Sequence, residues 1–200
     1  MKTIMILFSG VGSNMEYILR HMHDKELKVV AALTNNPDAG GIEIAKRYGV
    51  PVEILEHGRF ANREDYDTTL LQKVKKYNPD LVVLAGFMRI LTPVFTDSVK
   101  AINLHPSFLP RHKGLNAIEN SYNDPFDYGG ITVHKVDSEL DGGEIVLQVT
   151  VEKRGHDLKS YFQEIRKREK PLLAEAIRKV LDISQDSCDI KPLNSSKEAK

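Results

Sequence analysis

The chain has one cysteine in 200 residues, Cys188, in a polar stretch near its C-terminal end. A single thiol excludes an internal disulfide framework, and no Cys/His spacing of the zinc-binding kind occurs. Excess charge of either sign is missing as well, because 28 Lys+Arg balance 28 Asp+Glu. Without a global field, no affinity for nucleic acid or acidic membranes is expected, and an anionic ligand has to be gripped by a local site. No apolar run reaches membrane-spanning length, and Met1-Lys2-Thr3 leads into an alternating apolar segment without a signal-peptide pattern. The expectation is a cytoplasmic protein, monomer or homodimer, whose partners are small molecules.

What is present is an ordinary soluble composition, 41% hydrophobic and 28% charged. It suits one domain that buries about two thirds of its unfolded surface. Ile4 to Phe8 is a short apolar run, followed by Ser9-Gly10-Val11-Gly12-Ser13-Asn14 and then by Met15, Ile18, Leu19 and Met22 at helical spacing. This reads as strand, glycine-rich turn, helix. The alternation continues with a strand at Val29 to Leu33, a loop at Asn35 to Gly41, a helix at Ile42 to Tyr48 stopped by Gly49 and Pro51, and a strand at Val52 to Leu55. A helix at Glu64 to Tyr77, an unbroken apolar strand at Leu81 to Ala85, a short helix at Thr92 to Val99 and a strand at Ala101 to Leu104 follow. Beyond them the period changes. Pro106 to Gly130 reads as irregular, Ile131 to Val136 and Glu144 to Val151 as antiparallel strands, and Leu158 to Leu181 as a helix that Pro171 should kink or divide.

These elements predict an α/β, Rossmann-like fold: a mostly parallel central sheet with helices on both faces, antiparallel strands in the C-terminal half and a C-terminal helix. Residues 1–182 are expected to form one domain, with a phosphate-binding half over about 1–100 and a catalytic half over about 101–182. Residues 183–200 read as a polar, poorly ordered tail.

Three motifs fall at strand ends. Asn103-Leu104-His105-Pro106-Ser107 puts an amide and an imidazole two residues apart, on one side of an extended segment that the proline stops. His105 is thereby expected at the rim of the sheet, where open α/β sheets hold ligands. A lone histidine is more often structural than catalytic. Asp141, in Leu140-Asp141-Gly142-Gly143, could reach back to it, or could serve only the chemistry of a turn. If the two meet, the carboxylate favours imidazolium and is expected to raise the His105 pKa into the range useful at neutral pH. His105 and Asn103 would then be two donors for the oxyanion formed when an amine attacks a formyl carbon, with Asp141 helping to remove the amine proton. No serine or cysteine nucleophile is required.

The turn Gly10 to Asn14 offers backbone N–H groups, a hydroxyl and an amide at a helix N-terminus, which favours a phosphate. It lacks the third glycine of a dinucleotide fingerprint and the lysine of a nucleotide P-loop, so neither NAD nor ATP is supported. The same residues could equally form a tight turn with Ser13 or Asn14 as helix cap. Gly86-Phe87-Met88-Arg89-Ile90-Leu91 follows an apolar strand, and its backbone suits a flat pterin-like ring. Met88, Ile90 and Leu91 could alternatively be core.

In their order and spacing, Phe8 to Asn14, Leu84 to Leu91, Asn103 to Ser107 and Glu139 to Gly143 resemble the folate-dependent formyltransferases, over roughly Thr3 to Leu181. The resemblance implies an enzyme that moves the formyl group of 10-formyltetrahydrofolate, a co-substrate, onto the amine of glycinamide ribonucleotide in purine biosynthesis. It implies Asn103, His105 and Asp141 as the catalytic set, Gly12, Ser13 and Asn14 on the substrate phosphate, and Glu169 on the substrate ribose. The folate is implied to rest on Arg63, on Met88, Arg89, Ile90 and Leu91, on Asn103, and on a closing loop of Asp137, Ser138, Glu139, Leu140 and Asp141. No metal is implied. The chain departs from the family at Asn116-Ala117-Ile118, where many members carry histidines, and at Arg166 and Lys170, where glutamine and histidine are common. These departures bear on which phosphorylated amine is the acceptor. A nonenzymatic folate- or nucleotide-binding module is the alternative of another class, and the intact trio argues against it.

Overall fold

The computed structural model describes residues 1–184. The expected tail lies outside the described residues apart from its first two, and of these Ile183 packs against the core. The first apolar run forms β1 (Lys2–Phe8), and the glycine turn delivers the chain into α1 (Ser13–His21). β2 (Leu27–Thr34), α2 (Gly41–Arg47), β3 (Val52–Ile54) and α3 (Arg63–Tyr77) follow. Asn62 caps α3 by accepting from the Asp65 N–H at 2.8 Å, as an N-terminal amide should. Next come β4 (Leu81–Leu84), α4 (Pro93–Thr96), β5 (Ala101–His105), α5 (Ala117–Asn123), β6 (Tyr128–Lys135), β7 (Ile145–Glu152) and α6 (Leu158–Leu181).

The seven strands make one sheet in the order β3-β2-β1-β4-β5-β6-β7. Pairing is parallel from β3 to β5 and antiparallel from β5 to β7. The chain moves outward from β1 to β3 and then crosses back to β4, so the loops after β1 and β4 flank the point where strand order reverses, the usual ligand crevice of such sheets.

Strand alternation assigns the faces. Ile4, Ile6, Phe8, Val83, Ile102, Leu104, Ile131 and Val133 belong to a cluster that also takes in Met15 and Ile18 of α1 and Tyr161, Ile165 and Ile177 of α6. Met5, Leu7, Val82, Leu84 and Ala101 face the other way, against Tyr66, Leu70 and Val74 of α3 and Phe95 of α4. That second cluster stops at the start of β5. Farther along the same face the strands present Asn103, His105, Thr132 and His134 instead of apolar side chains.

Four expectations about elements need correction. Pro171 does not divide the last helix: α6 runs unbroken over 24 residues, held by a stripe of buried residues on both sides of the proline. The stretch from Pro106 to Gly130 is not irregular throughout, because Ala117, Ile118 and Ser121 bury one face of α5 and β6 begins at Tyr128. The helix expected over Thr92 to Val99 is a single turn, Pro93–Thr96. Finally, neither Ser13 nor Asn14 caps α1, whose N-cap is Gly12 in the left-handed region (φ 77°) with no side-chain cap. A Cβ there would sit 2.8 Å from the Gly41 Cα, so glycine serves both the turn and the close approach. No helix among the described residues is long and apolar enough to cross a membrane.

Candidate active site

A cavity of about 850 Å³ opens at the C-terminal ends of β4 and β5. It is bordered by the 86–91 loop, the start of α3, the beginning of α5 and the loop between β6 and β7. Ser9 ties the strand ends together: its Oγ accepts from the Met88 N–H at 2.8 Å and donates to Asn35 Oδ1 at 2.5 Å. Within the 86–91 loop, Phe87 and Leu91 are buried in the core, whereas Met88 and Ile90 are 66% and 50% exposed toward the opening. The loop therefore splits between core and site. Arg89 lies over the Tyr66 ring at 5.4 Å.

Asn103 and His105 share the cavity wall, as their spacing predicts, and Asp141 does reach them. Asp141 Oδ2 is 3.4 Å from His105 Nδ1, and Asn103 Nδ2 donates to Asp141 Oδ1 at 3.3 Å. Both readings of Asp141 hold at once. Its backbone is left-handed (φ 50°), a conformation that Asp tolerates better than most side chains, while its carboxylate is buried in the site. Gly143 lets this loop press against β6, since a Cβ there would come within 1.9 Å of the Lys135 carbonyl oxygen.

The expected direction of the His105 shift is wrong. Burial lowers its pKa below the ordinary value and outweighs the Asp141 charge and the His112 carbonyl, which both pull upward. For Asp141, burial pushes upward, but His134, the Gly114 N–H and His105 together hold its pKa below the usual carboxylate value.

Sequence reasoning missed His134. It is 3% exposed, stands opposite Asn103 in the β5–β6 register and lies 3.4 Å from Asp141 Oδ1. Its Nδ1 donates to the Lys135 carbonyl at 2.8 Å, which leaves Nε2 to accept from Asn103 Nδ2 at 3.2 Å. The available signal was a polar residue ending the alternation Ile131-Thr132-Val133-His134 beside the Asp141 turn. The Asn103 amide, expected to face an oxyanion, is here shared between His134 and Asp141.

All the residues assigned to folate line this one cavity: Arg63, the four from Met88 to Leu91, Asn103, and the loop from Asp137 to Asp141. Gly12, Ser13, Asn14 and Glu169 do not. They meet elsewhere. Glu169 is 2% exposed, and its Oε2 accepts from Asn14 Nδ2 at 3.4 Å and from Arg166 Nη1 at 3.2 Å. Asn14 Oδ1 is buried with no partner. Burial raises the Glu169 pKa, against the pull of Arg166, Asn14 and Lys170. Because Arg166 also lines the cavity, it joins the two places.

A doubly wound sheet with an amide, an imidazole and a carboxylate at a strand end fits acyl transfer without a covalent nucleophile. The chain belongs to the formyl transferase family, whose model matches residues 2–177. It is 40% identical over 152 residues to the phosphoribosylglycinamide formyltransferase of Escherichia coli strain K12, covering 74% of this chain and 72% of that one. It also resembles the crystal structure of phosphoribosylglycinamide formyltransferase from Campylobacter jejuni, with a TM-score of 0.88 and 43% identity over 90% of this chain and 97% of the other. The corresponding enzyme from Streptococcus pneumoniae gives a TM-score of 0.83 at 30% identity, over 90% and 99% of the two chains.

Proposed function

We propose that this protein transfers the formyl group of 10-formyltetrahydrofolate to the amine of glycinamide ribonucleotide, giving formylglycinamide ribonucleotide and tetrahydrofolate in purine synthesis. The observation that carries the reading is the Asn103, His105 and Asp141 cluster on the wall of a cavity large enough for a folate. The relatives' activity supports it.

In this reading the folate occupies the cavity. Met88 and Ile90 give it apolar surface, the 88–91 backbone meets the edge of its ring, Arg63 and Arg89 face its acidic part, and residues 137–141 form the wall beside it. The substrate phosphate belongs at Gly12, Ser13 and Asn14, because α1 has no side-chain cap and its first N–H groups are left for an anion. Ribose hydroxyls are donors, and they suit Glu169 together with the unpartnered Asn14 Oδ1.

The amine nitrogen attacks the formyl carbon, a new C–N bond forms, and the carbonyl π pair moves to oxygen. Asn103 donates to that oxyanion, and the contacts it releases, of 3.2 and 3.3 Å with His134 and Asp141, are long ones. Burial keeps His105 neutral beforehand, with its hydrogen on Nε2. As charge develops on oxygen, Nδ1 takes up the proton the amine gives up, directly or through Asp141. The imidazolium donates from Nδ1 to the oxyanion before passing that proton on to the folate nitrogen, so the stabilisation is concentrated in the transition state. Collapse breaks the bond from the formyl carbon to the folate nitrogen. The amine gives up one proton and the folate nitrogen takes one, with Asp141 as acceptor or relay.

The reading treats residues 1–182 as one formyltransferase domain working in the cytoplasm on two small molecules, as monomer or homodimer and with no metal. Mixing the protein with 10-formyltetrahydrofolate and glycinamide ribonucleotide and following tetrahydrofolate release tests it. Turnover is expected, falling by about 10²–10³-fold in Asn103→Ala, the cost of one lost oxyanion donor. No turnover above a His105→Ala control overturns the reading.

A further inference from the structure

Asp124, just after α5, is a buried carboxylate that this chemistry does not use. Its side chain is 8% exposed, with Lys153 Nζ 2.5 Å from Oδ1, and Arg111 Nη1 at 3.3 Å and His112 Nε2 at 2.6 Å from Oδ2. Lys153 also donates to the Asp124 and Tyr122 carbonyls, at 2.9 and 3.3 Å, and the Phe126 N–H donates to Asp124 Oδ1 at 3.0 Å. Arg111 lies over the Phe126 and Tyr128 rings at 4.3 and 4.9 Å. Such a compensated ion cluster could serve the fold alone.

Its connection to the site says more. His112 has a left-handed backbone (φ 56°), and its carbonyl accepts from His105 Nε2 at 2.8 Å. Two residues later the Gly114 N–H donates to Asp141 Oδ2, also at 2.8 Å. One three-residue segment therefore touches both members of the His105–Asp141 pair. Lys113 pairs with Glu139 at the surface, where an ion pair fixes little. The better-covered anchor of the segment is the half-buried His112 ring on the Asp124 carboxylate.

We propose that Asp124 and His112 are positioning residues: Asp124 grips the His112 ring and thereby fixes the 112–114 backbone that holds His105 and Asp141. The inference rests on the reading of that pair as the reacting groups. A carbonyl only accepts, so His105 Nε2 must carry a hydrogen, and Nδ1 is aimed at Asp141. Loss of the grip frees the imidazole to exchange tautomers and to leave its geometry, and a shift of roughly 1 Å in a reacting group costs up to about 100-fold in rate.

Asp124→Asn, His112→Phe and His112→Gln are compared with wild type in two measurements. In imidazole nitrogen NMR without substrates, wild type is expected to show the Nε2–H form of His105. Asp124→Asn and His112→Phe are expected to show exchange between tautomers, and His112→Gln, whose amide can still donate to Asp124, is expected to restore the wild-type spectrum. In steady-state assays kcat falls by about 10- to 100-fold in the first two variants while KM stays within about twofold. His112→Phe leaves Asp124 with Lys153 and Arg111, so it carries the test if Asp124→Asn does not fold. An unchanged His105 spectrum and kcat in folded His112→Phe overturn the proposal. A wild type without turnover overturns the proposed function instead, and the His105 spectra still decide the positioning.

Discussion

At Asp141 a left-handed backbone and a buried carboxylate coincide. The side chain accepts from Gly114 and Asn103 and lies 3.4 Å from two imidazoles, so one oxygen faces each histidine. Its negative charge is the largest influence holding the His105 pKa up against burial. In Asp141→Asn, which keeps the shape and the tolerance for positive φ, His105 should therefore titrate at a lower pH than in wild type, read from its imidazole resonances. Turnover should fall by about 100-fold or more, as for loss of an acid–base group. A His105 pKa that rises in this variant would show that burial is not what Asp141 opposes.

The elements that carry the site differ in how openly the sequence announces them. β1 and β4 carry continuous apolar runs followed within two residues by glycine, β5 interrupts its apolar residues with Asn103 and is closed by Pro106, and each was legible within a residue or two. Asn103 and His105 could be placed on one face because a strand fixes side-chain direction by parity. α5 was not legible, since its short buried stripe lies inside a stretch rich in turn-forming residues. The bounds of α6 were legible, but of the kink or division expected at Pro171 the division does not occur, because the apolar stripe against the sheet continues on both sides of the proline. His134 went unseen because its meaning depends on the β5–β6 register, which a single sequence does not display. The loop after β6 is a case where one residue type is demanded: Gly143→Ala puts a methyl against the Lys135 carbonyl oxygen. That variant should lose about 1–3 kcal/mol in urea unfolding, the usual cost of overpacking, and lose kcat as well, because Asp141 moves with the loop.

At the scale of the molecule, buried titrating groups set opposite dependences of stability on pH. His105 and Asp141 have folded pKa values below their ordinary ones, so the unfolded chain binds their protons first and stability falls on acidification, below 6.5 for His105 and below 3.8 for Asp141. Glu169 works the other way. Its folded pKa lies above the ordinary 4.5, so its contribution is full below that value and is lost as pH rises through the folded one. Glu169→Gln should therefore gain on wild type in Tm as pH is raised from 4.5 to about 8, and a difference that stays constant across that range would refute the assignment. The sheet supplies a different kind of control. β5 pairs in parallel with β4 on one edge and antiparallel with β6 on the other, and Asn103 meets His134 only in that register. A slip of one residue along β6 would set Val133 opposite Asn103 and turn Ile131 and Val133 out of the core together. The cluster of Asn103, His134 and Asp141 thus inherits the proofreading of the hydrophobic core: a copy that misaligns this edge loses the cluster and the core packing in the same event.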